Sequence, residues 1–185
     1  MTEQKAGCVY WITGLPGAGK TTIAQAMHGA FLSRNVTSLV IDGDAVRQVL
    51  QRTEDHGLEA RKELAQIYGR LCRLVSDQGI NVICATVSMF DDVRRWNRTN
   101  IPRYVEIYLK APIDVLAKRD KNGIYGRAKS GELENVLGIN ADFEEPKNPD
   151  LTITADFRQS ATQIATEILE AFPPRTVPTK LESER

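Results

Sequence analysis

Residues 11–22 read WITGLPGAGKTT, an apolar run that turns into glycines and ends on a lysine and two threonines. Within it, Gly14-Leu15-Pro16-Gly17-Ala18-Gly19-Lys20-Thr21 fits G-x-x-x-x-G-K-[ST], after a predicted strand and before a predicted helix, the context in which that pattern makes a phosphate cradle. Glycines let backbone N–H groups curl around phosphate oxygens without interference from Cβ atoms. Lys20 reaches the outer phosphates, the Thr21 hydroxyl is a ligand for Mg²⁺, and Thr22 completes the binding stretch. The segment predicts a loop that holds the triphosphate of a nucleotide.

The rest of the chain follows the same grammar. Short apolar runs, CVYWIT (8–13), SLVID (38–42), INVICAT (80–86), YVEIYL (104–109) and LTIT (151–154), alternate with longer segments of helical period. Several runs are apolar at consecutive positions, as strands covered on both faces are. The clearest helix spans about 59–77, where Leu64, Ile67, Tyr68, Leu71, Leu74 and Val75 recur at helical steps as a core-facing stripe and Gly79 follows as a stop. The expected fold class is α/β: a three-layer P-loop NTPase fold with a central parallel β-sheet flanked by helices, and a mobile lid. Residues 119–149 supply that lid, being long, charged, rich in glycine and proline, and predicted to hold a short helix. Residues 1–172 are read as a single domain and 173–185 as a disordered tail.

Composition narrows the function. Lys plus Arg and Asp plus Glu number 24 each, so no net charge draws in an anionic polymer or surface. The partner expected is a small-molecule nucleotide, with no nucleic-acid polymer and no membrane, and a homodimer is an assembly the sequence permits. Cys8, Cys72 and Cys84 are odd in number, widely spaced and set in mostly apolar stretches, so reduced core residues are expected. The polar start MTEQKAG and the absence of any run near the ~18 apolar residues of a membrane span point to the cytoplasm.

Among nucleotide-binding loops of this kind, a guanine-reading switch needs N-K-x-D, which is absent, and the L-S-G-G-Q signature of transporter ATPases is missing too. A small-molecule kinase remains. The second strand ends in Asp42-Gly43-Asp44, followed by Arg47 in the next helix, and C-terminal strand ends line the ligand crevice of a parallel sheet. One carboxylate there can take the acceptor hydroxyl's proton, another can hold Mg²⁺ through water, and Arg47 can fork onto an anionic acceptor. Asp44 can equally serve as a helix N-cap. A non-catalytic nucleotide-binding module is the reading from another class, against which Asp42, Asp44 and the cationic lid argue.

WITGLPGAGKTT, IDGDAVR, DQGINVICATVS and RDKNGIYGRAKSGELENVLGI with FEEPKNPDL behind it resemble the adenylylsulfate kinase family over about residues 7–155. That family phosphorylates the ribose 3′-hydroxyl of adenylylsulfate with ATP. The resemblance implies Mg²⁺-ATP on Gly14–Thr22, catalytic roles for Lys20, Asp42 and Asp44 with Asp44 as base, and acceptor contacts from Arg47 and Arg61. It also places Leu58, Leu64, Val87, Ser88, Met89, Phe90, Asn122, Lys129 and Val136 at acceptor-site positions, beside Asp42 and Asp44.

The departures fall in the base-reading shell. Ala45 replaces the asparagine of D-G-D-N, Gly57-Leu58-Glu59 stands where G-F-S is usual, and Val136 replaces the aromatic of G-F-T-G-I. Leu64 replaces an asparagine, Asn122 a lid lysine, and Ser88-Met89-Phe90 reads where S-P-Y is expected. Each base–aromatic stack lost removes about 1–3 kcal/mol. Adenine is then expected to bind poorly, with Phe90 or Phe143 as a replacement platform. The pattern resembles the relatives that phosphorylate the 3′-hydroxyl of cytidine diphosphoramidate on the route to capsular phosphoramidate groups. Arg119, Lys121, Arg127 and Lys129 are expected over the phosphates, and Arg94, Arg95 and Arg98 on a solvated face.

Overall fold

The computed structural model describes residues 6–52, 57–120 and 123–176. Five strands, β1 (Val9–Gly14), β2 (Ser38–Asp42), β3 (Asn81–Ala85), β4 (Tyr104–Lys110) and β5 (Leu151–Thr154), form one sheet in the order β2-β3-β1-β4-β5. Every pairing is parallel. The helices are α1 (Lys20–Leu32), α2 (Gly43–Val49), α3 (Leu58–Ser76), α4 (Asp91–Asn100), α5 (Ile113–Lys118), α6 (Ile124–Lys129) and α7 (Ala161–Ala171).

The continuous apolar run of β1 serves two cores at once. Tyr10 and Ile12 pack with Met27 and Phe31 of α1 and Ile164 and Ile168 of α7. Val9 and Trp11 point the other way, into Leu64, Tyr68 and Cys72 of α3 and Val93 of α4. A strand alternates its side chains between faces, so a one-residue slip would exchange both sets, each worth about 1.5–3 kcal/mol per buried side chain. The result is the three-layer α/β architecture read from the sequence. Cys8, Cys72 and Cys84 are free and buried, as expected. Among the described residues no helix is long and apolar enough to cross a membrane.

The structure bears on three expectations. In α3, Leu64 and Tyr68 are buried, but Leu74 is 60% exposed, because the inward stripe runs through Ala65, Gly69 and Cys72 instead. Gly69 is where α4 comes closest, and a Cβ there would stand 2.2 Å from the Asn97 side-chain oxygen. The segment 119–149 carries the expected helix, α6, and its Tyr125 and Leu137 belong to the main core. The expected tail is tied down at its start: the Arg175 N–H donates to Asn81 Oδ1 at 2.9 Å and its guanidinium to the Gly79 carbonyl at 2.9 Å.

Candidate active site

A parallel sheet with β1 at its centre delivers the ends of β2 and β3 to one side of the phosphate loop and those of β4 and β5 to the other. Between them lies a cavity of about 770 Å³. Pro16 through Thr22 line its floor. Gly19 caps α1 with φ 94°, in the left-handed region where only glycine is free of Cβ strain. Gly14 and Leu15 lie beneath the floor and do not line it: a Cβ on Gly14 would meet the Leu109 carbonyl oxygen at 2.6 Å, and Leu15 is part of the core. The Leu15 carbonyl instead accepts from Lys20 Nζ at 2.9 Å. Burial pulls the Lys20 ammonium down to a pKa of about 8, against the pull of Asp44 and Asp42. A buried amine with so few acceptors is poised for an anionic ligand.

The end of β2 turns directly into α2. Asp42, not Asp44, is the N-cap, accepting from the N–H groups of Asp44 at 2.9 Å and Ala45 at 3.3 Å. The carboxylate precedes the first helical residue and curls back onto its open amides, as caps do. Its other oxygen accepts from the Thr21 hydroxyl at 2.7 Å. Asp44 is thereby relieved of capping and pairs with Arg47, one helical turn on. Both Asp44 and Arg47 line the cavity.

Arg61, Leu64 and Val136 line the cavity together with Val87, Ser88 and Phe90. Arg61 Nη1 donates to the Asn135 carbonyl at 2.7 Å, clamping α3 to the lid, and partial burial and the Arg47 charge both lower its pKa. The Ser88 hydroxyl lies 2.7 Å from that of Thr86. Three other residues expected at the acceptor site lie elsewhere. Leu58 is half-exposed at the start of α3, Met89 is buried in the core, and Lys129 is exposed; none lines the cavity. Phe143 lines a separate small cavity with Ile113 and Gly138. Asn122 and Lys121 lie outside the described residues.

On the opposite side, Arg119 stacks over the Phe157 ring at 3.7 Å, beside Ile153, Ala155 and Ile164. The lid is attached here through Tyr125, whose hydroxyl donates to the Pro16 carbonyl at 2.7 Å. Asp120 holds the start of α6 by accepting from Ile124 N–H at 2.9 Å and Tyr125 N–H at 2.6 Å. Arg127 turns away to Glu132, so of the expected lid cations Arg119 alone, among the described residues, faces the cavity. Arg94 is not on a solvated face: it is buried against Glu106 and Asp91, and Arg98 pairs with Glu106 and Asp150. Arg95 is exposed.

Sequence reasoning missed Tyr68, Thr86, Glu134 and Phe157, all of which line the cavity. Tyr68 carried a signal, one turn beyond Leu64 on the inward stripe; Glu134 and Phe157 sit in irregular segments, where no periodicity reports direction. Among the described residues no cluster of three or more His, Cys, Asp or Glu could cage a metal. Thr21 and Asp42 do suit Mg²⁺, which takes one or two protein oxygens and completes its shell with phosphates and water.

The model of the family described as adenylylsulphate kinase matches residues 6–154. The adenylyl-sulfate kinase of Thermodesulfovibrio yellowstonii is 39% identical over 150 residues, 80% of this chain and 75% of that protein. The cytidine diphosphoramidate kinase of Campylobacter jejuni is 33% identical over 152 residues, 82% of this chain and 88% of that one. Among solved structures, the Mycobacterium tuberculosis APS (adenylylsulfate) kinase in complex with AMPPNP and APS aligns with a TM-score of 0.83 at 28% identity, over 90% of this chain and 97% of that chain. Likeness on this scale, in sequence and in fold together, shows that the chain belongs to the adenylylsulphate kinase family and is an ATP-dependent kinase with a hydroxyl acceptor.

Proposed function

We propose that this kinase transfers the γ-phosphoryl group of Mg²⁺-ATP to the ribose 3′-hydroxyl of an activated nucleotide. The observation that carries the reading is the placement of Asp44 and Arg47 beside the phosphate loop on the β2–β3 side, facing Arg61 across the cavity wall. Asp44 accepts the hydroxyl's hydrogen bond and takes its proton as the oxygen attacks. Arg47 leaves Asp44 for the acceptor's anionic group; an exposed pair of this kind is worth only about 0–1 kcal/mol, so the exchange costs little. Lys20 neutralises charge on the outer phosphates. Thr21 and Asp42 would hold Mg²⁺, which supplies charge stabilisation to the transferred group. The donor base lies on the β4–β5 side, against Arg119 and Phe157.

The relatives give adenylylsulfate the wider support as acceptor. A second reading, cytidine diphosphoramidate, is favoured by the composition of the acceptor wall. Leu64 and Val136 stand where the family carries an asparagine and a stacking aromatic, and Phe90 is the one aromatic ring beside them apart from Tyr68, whose hydroxyl is engaged with Gly43. The experiment is kcat/KM for both acceptors at fixed Mg²⁺-ATP, with the product's phosphate located by NMR. Efficient use of adenylylsulfate with cytidine compounds inert selects the first reading, and the reverse the second. Phosphate at any position other than a ribose 3′-hydroxyl overturns both.

A further inference from the structure

Among the described residues four carboxylates line the cavity, and three are occupied: Asp42 caps α2 and accepts from Thr21, Asp44 pairs with Arg47, and Asp120 caps α6. Glu134 is the fourth. Among the described residues no hydrogen bond or ion pair engages its side chain.

The backbone that carries it is held on every side. The Leu133 carbonyl accepts from Asn140 Nδ2 at 2.6 Å, and the Val136 N–H donates to Asn140 Oδ1 at 2.7 Å. Between them, Asn135 adopts φ 58° and its carbonyl is taken by Arg61. One asparagine side chain thus closes the turn from inside and one arginine pins it to α3. The turn's neighbouring cavity side chains, Leu133, Val136 and Leu137, are apolar. The turn is braced, and the carboxylate it carries is exposed and unpaired beside an apolar wall, open to a hydrogen-bond donor on a ligand.

We propose that Glu134 reads the exocyclic amino group of the acceptor's base. The inference rests on the reading above that the β2–β3 side takes a nucleotide acceptor, and applies to both candidate bases. Adenine and cytosine each present an amino group that donates to a carboxylate. Their keto counterparts, hypoxanthine and uracil, present an oxygen at that position, which would face the carboxylate acceptor to acceptor and leave both desolvated without a partner. Leu64 and Val136 offer shape but no such sign.

The test compares amino and keto members of each acceptor pair: adenylylsulfate with its inosine counterpart, and cytidine diphosphoramidate with its uridine counterpart. Wild type is expected to favour the amino member by about 10- to 100-fold in kcat/KM. Glu134→Gln, whose amide can donate to a keto oxygen, is expected to reduce that preference to within about threefold, and Glu134→Leu to abolish it, with KM for ATP unchanged in both. Because Glu134 is exposed, both variants are expected to melt with wild type. Phosphorylation of amino and keto members at equal efficiency by wild type, or an undiminished preference in Glu134→Leu, overturns this role and leaves the kinase assignment standing. If no member of either pair is phosphorylated, the nucleotide-acceptor reading fails, and this role fails with it.

Discussion

The Tyr68 hydroxyl donates to the Gly43 carbonyl at 3.0 Å, tying the inward face of α3 to the residue between Asp42 and Asp44. Gly43 sits in a narrow slot, where a Cβ would come within 3.3 Å of Thr86 Oγ1 and 3.5 Å of the Tyr68 ring. The bond fixes the start of α2, and so the direction from which both carboxylates enter the cavity beside the phosphate loop. Tyr68→Phe keeps the ring and removes the tether, a loss of about 0.5–1.5 kcal/mol in stability. A change confined to stability would lower the melting temperature alone. The positioning role predicts that kcat also falls, about three- to tenfold, with KM for ATP unchanged, and steady-state kinetics on the variant read the difference.

Lys20 is expected to make nucleotide binding depend on pH. Its pKa near 8 in the free protein lies below its ordinary value, so between those two limits the unfolded chain binds more protons than the folded one. This residue's contribution to stability therefore rises as pH climbs through that window, since the folded state is relieved of a buried charge. A bound triphosphate reverses the preference and restores the ammonium. At pH 8, ATP binding is expected to take up about half a proton through this residue, and affinity to weaken above that pH. Calorimetry in buffers of different ionisation enthalpy measures the uptake, and Lys20→Ala should remove it. The same variant is expected to lose at least ~10²-fold in rate while remaining folded.

Much of this was legible in the sequence. The continuous apolar run of β1, the phosphate-loop pattern and the helical stripe of α3 each announce an element, and the fold followed from them. Where a partner on another element decides which way a side chain turns, the reading failed. Arg94 and Arg98 recur at a helical step with Arg95 among them, which is how a solvated helix face reads. What buries Arg94 is Glu106, the lone acid in a mostly apolar strand. Met89 and Lys129 fell to the same limit, since resemblance fixes a position in the chain and not the direction of its side chain.

The Arg94–Glu106 pair makes its own prediction. Both side chains are 5% exposed, and burial lifts the Glu106 carboxyl above its ordinary pKa despite the guanidiniums of Arg98 and Arg94 beside it. Removing Glu106 leaves Arg94 with Asp91 and Arg98 with Asp150, so the loss is that of buried charged hydrogen bonds rather than of a stranded charge, about 1–3 kcal/mol. In a chain of this length Glu106→Ala is expected to lower the melting temperature by about 2–12 °C. Neither residue lines the cavity, so kcat measured below the transition should stay within about twofold of wild type. A variant that melts with wild type would show that the pair is energetically idle.

Asp44 offers the sharpest separation of chemistry from structure, because Asp42 has already taken the cap. Had Asp44 closed the end of α2, its replacement would cost about 0.5–2 kcal/mol of stability along with any catalytic loss, and the two effects would be entangled. Instead, among the described residues, its side chain pairs with Arg47 alone, in an exposed pair of small energetic value. Asp44→Asn keeps the size of the side chain and removes the proton acceptor. The expected outcome is a kcat about 10²-fold lower, an unchanged melting temperature and an unchanged KM for ATP. KM for the acceptor should hold or fall, since Arg47 no longer has to be drawn from a carboxylate before it meets an anion. Asp42→Asn, by contrast, weakens both the cap and the Thr21 bond, so it is expected to lose stability and nucleotide affinity together. If Asp44→Asn instead lowers the melting temperature and leaves kcat within about twofold of wild type, the base lies elsewhere and Asp44 serves only to hold Arg47.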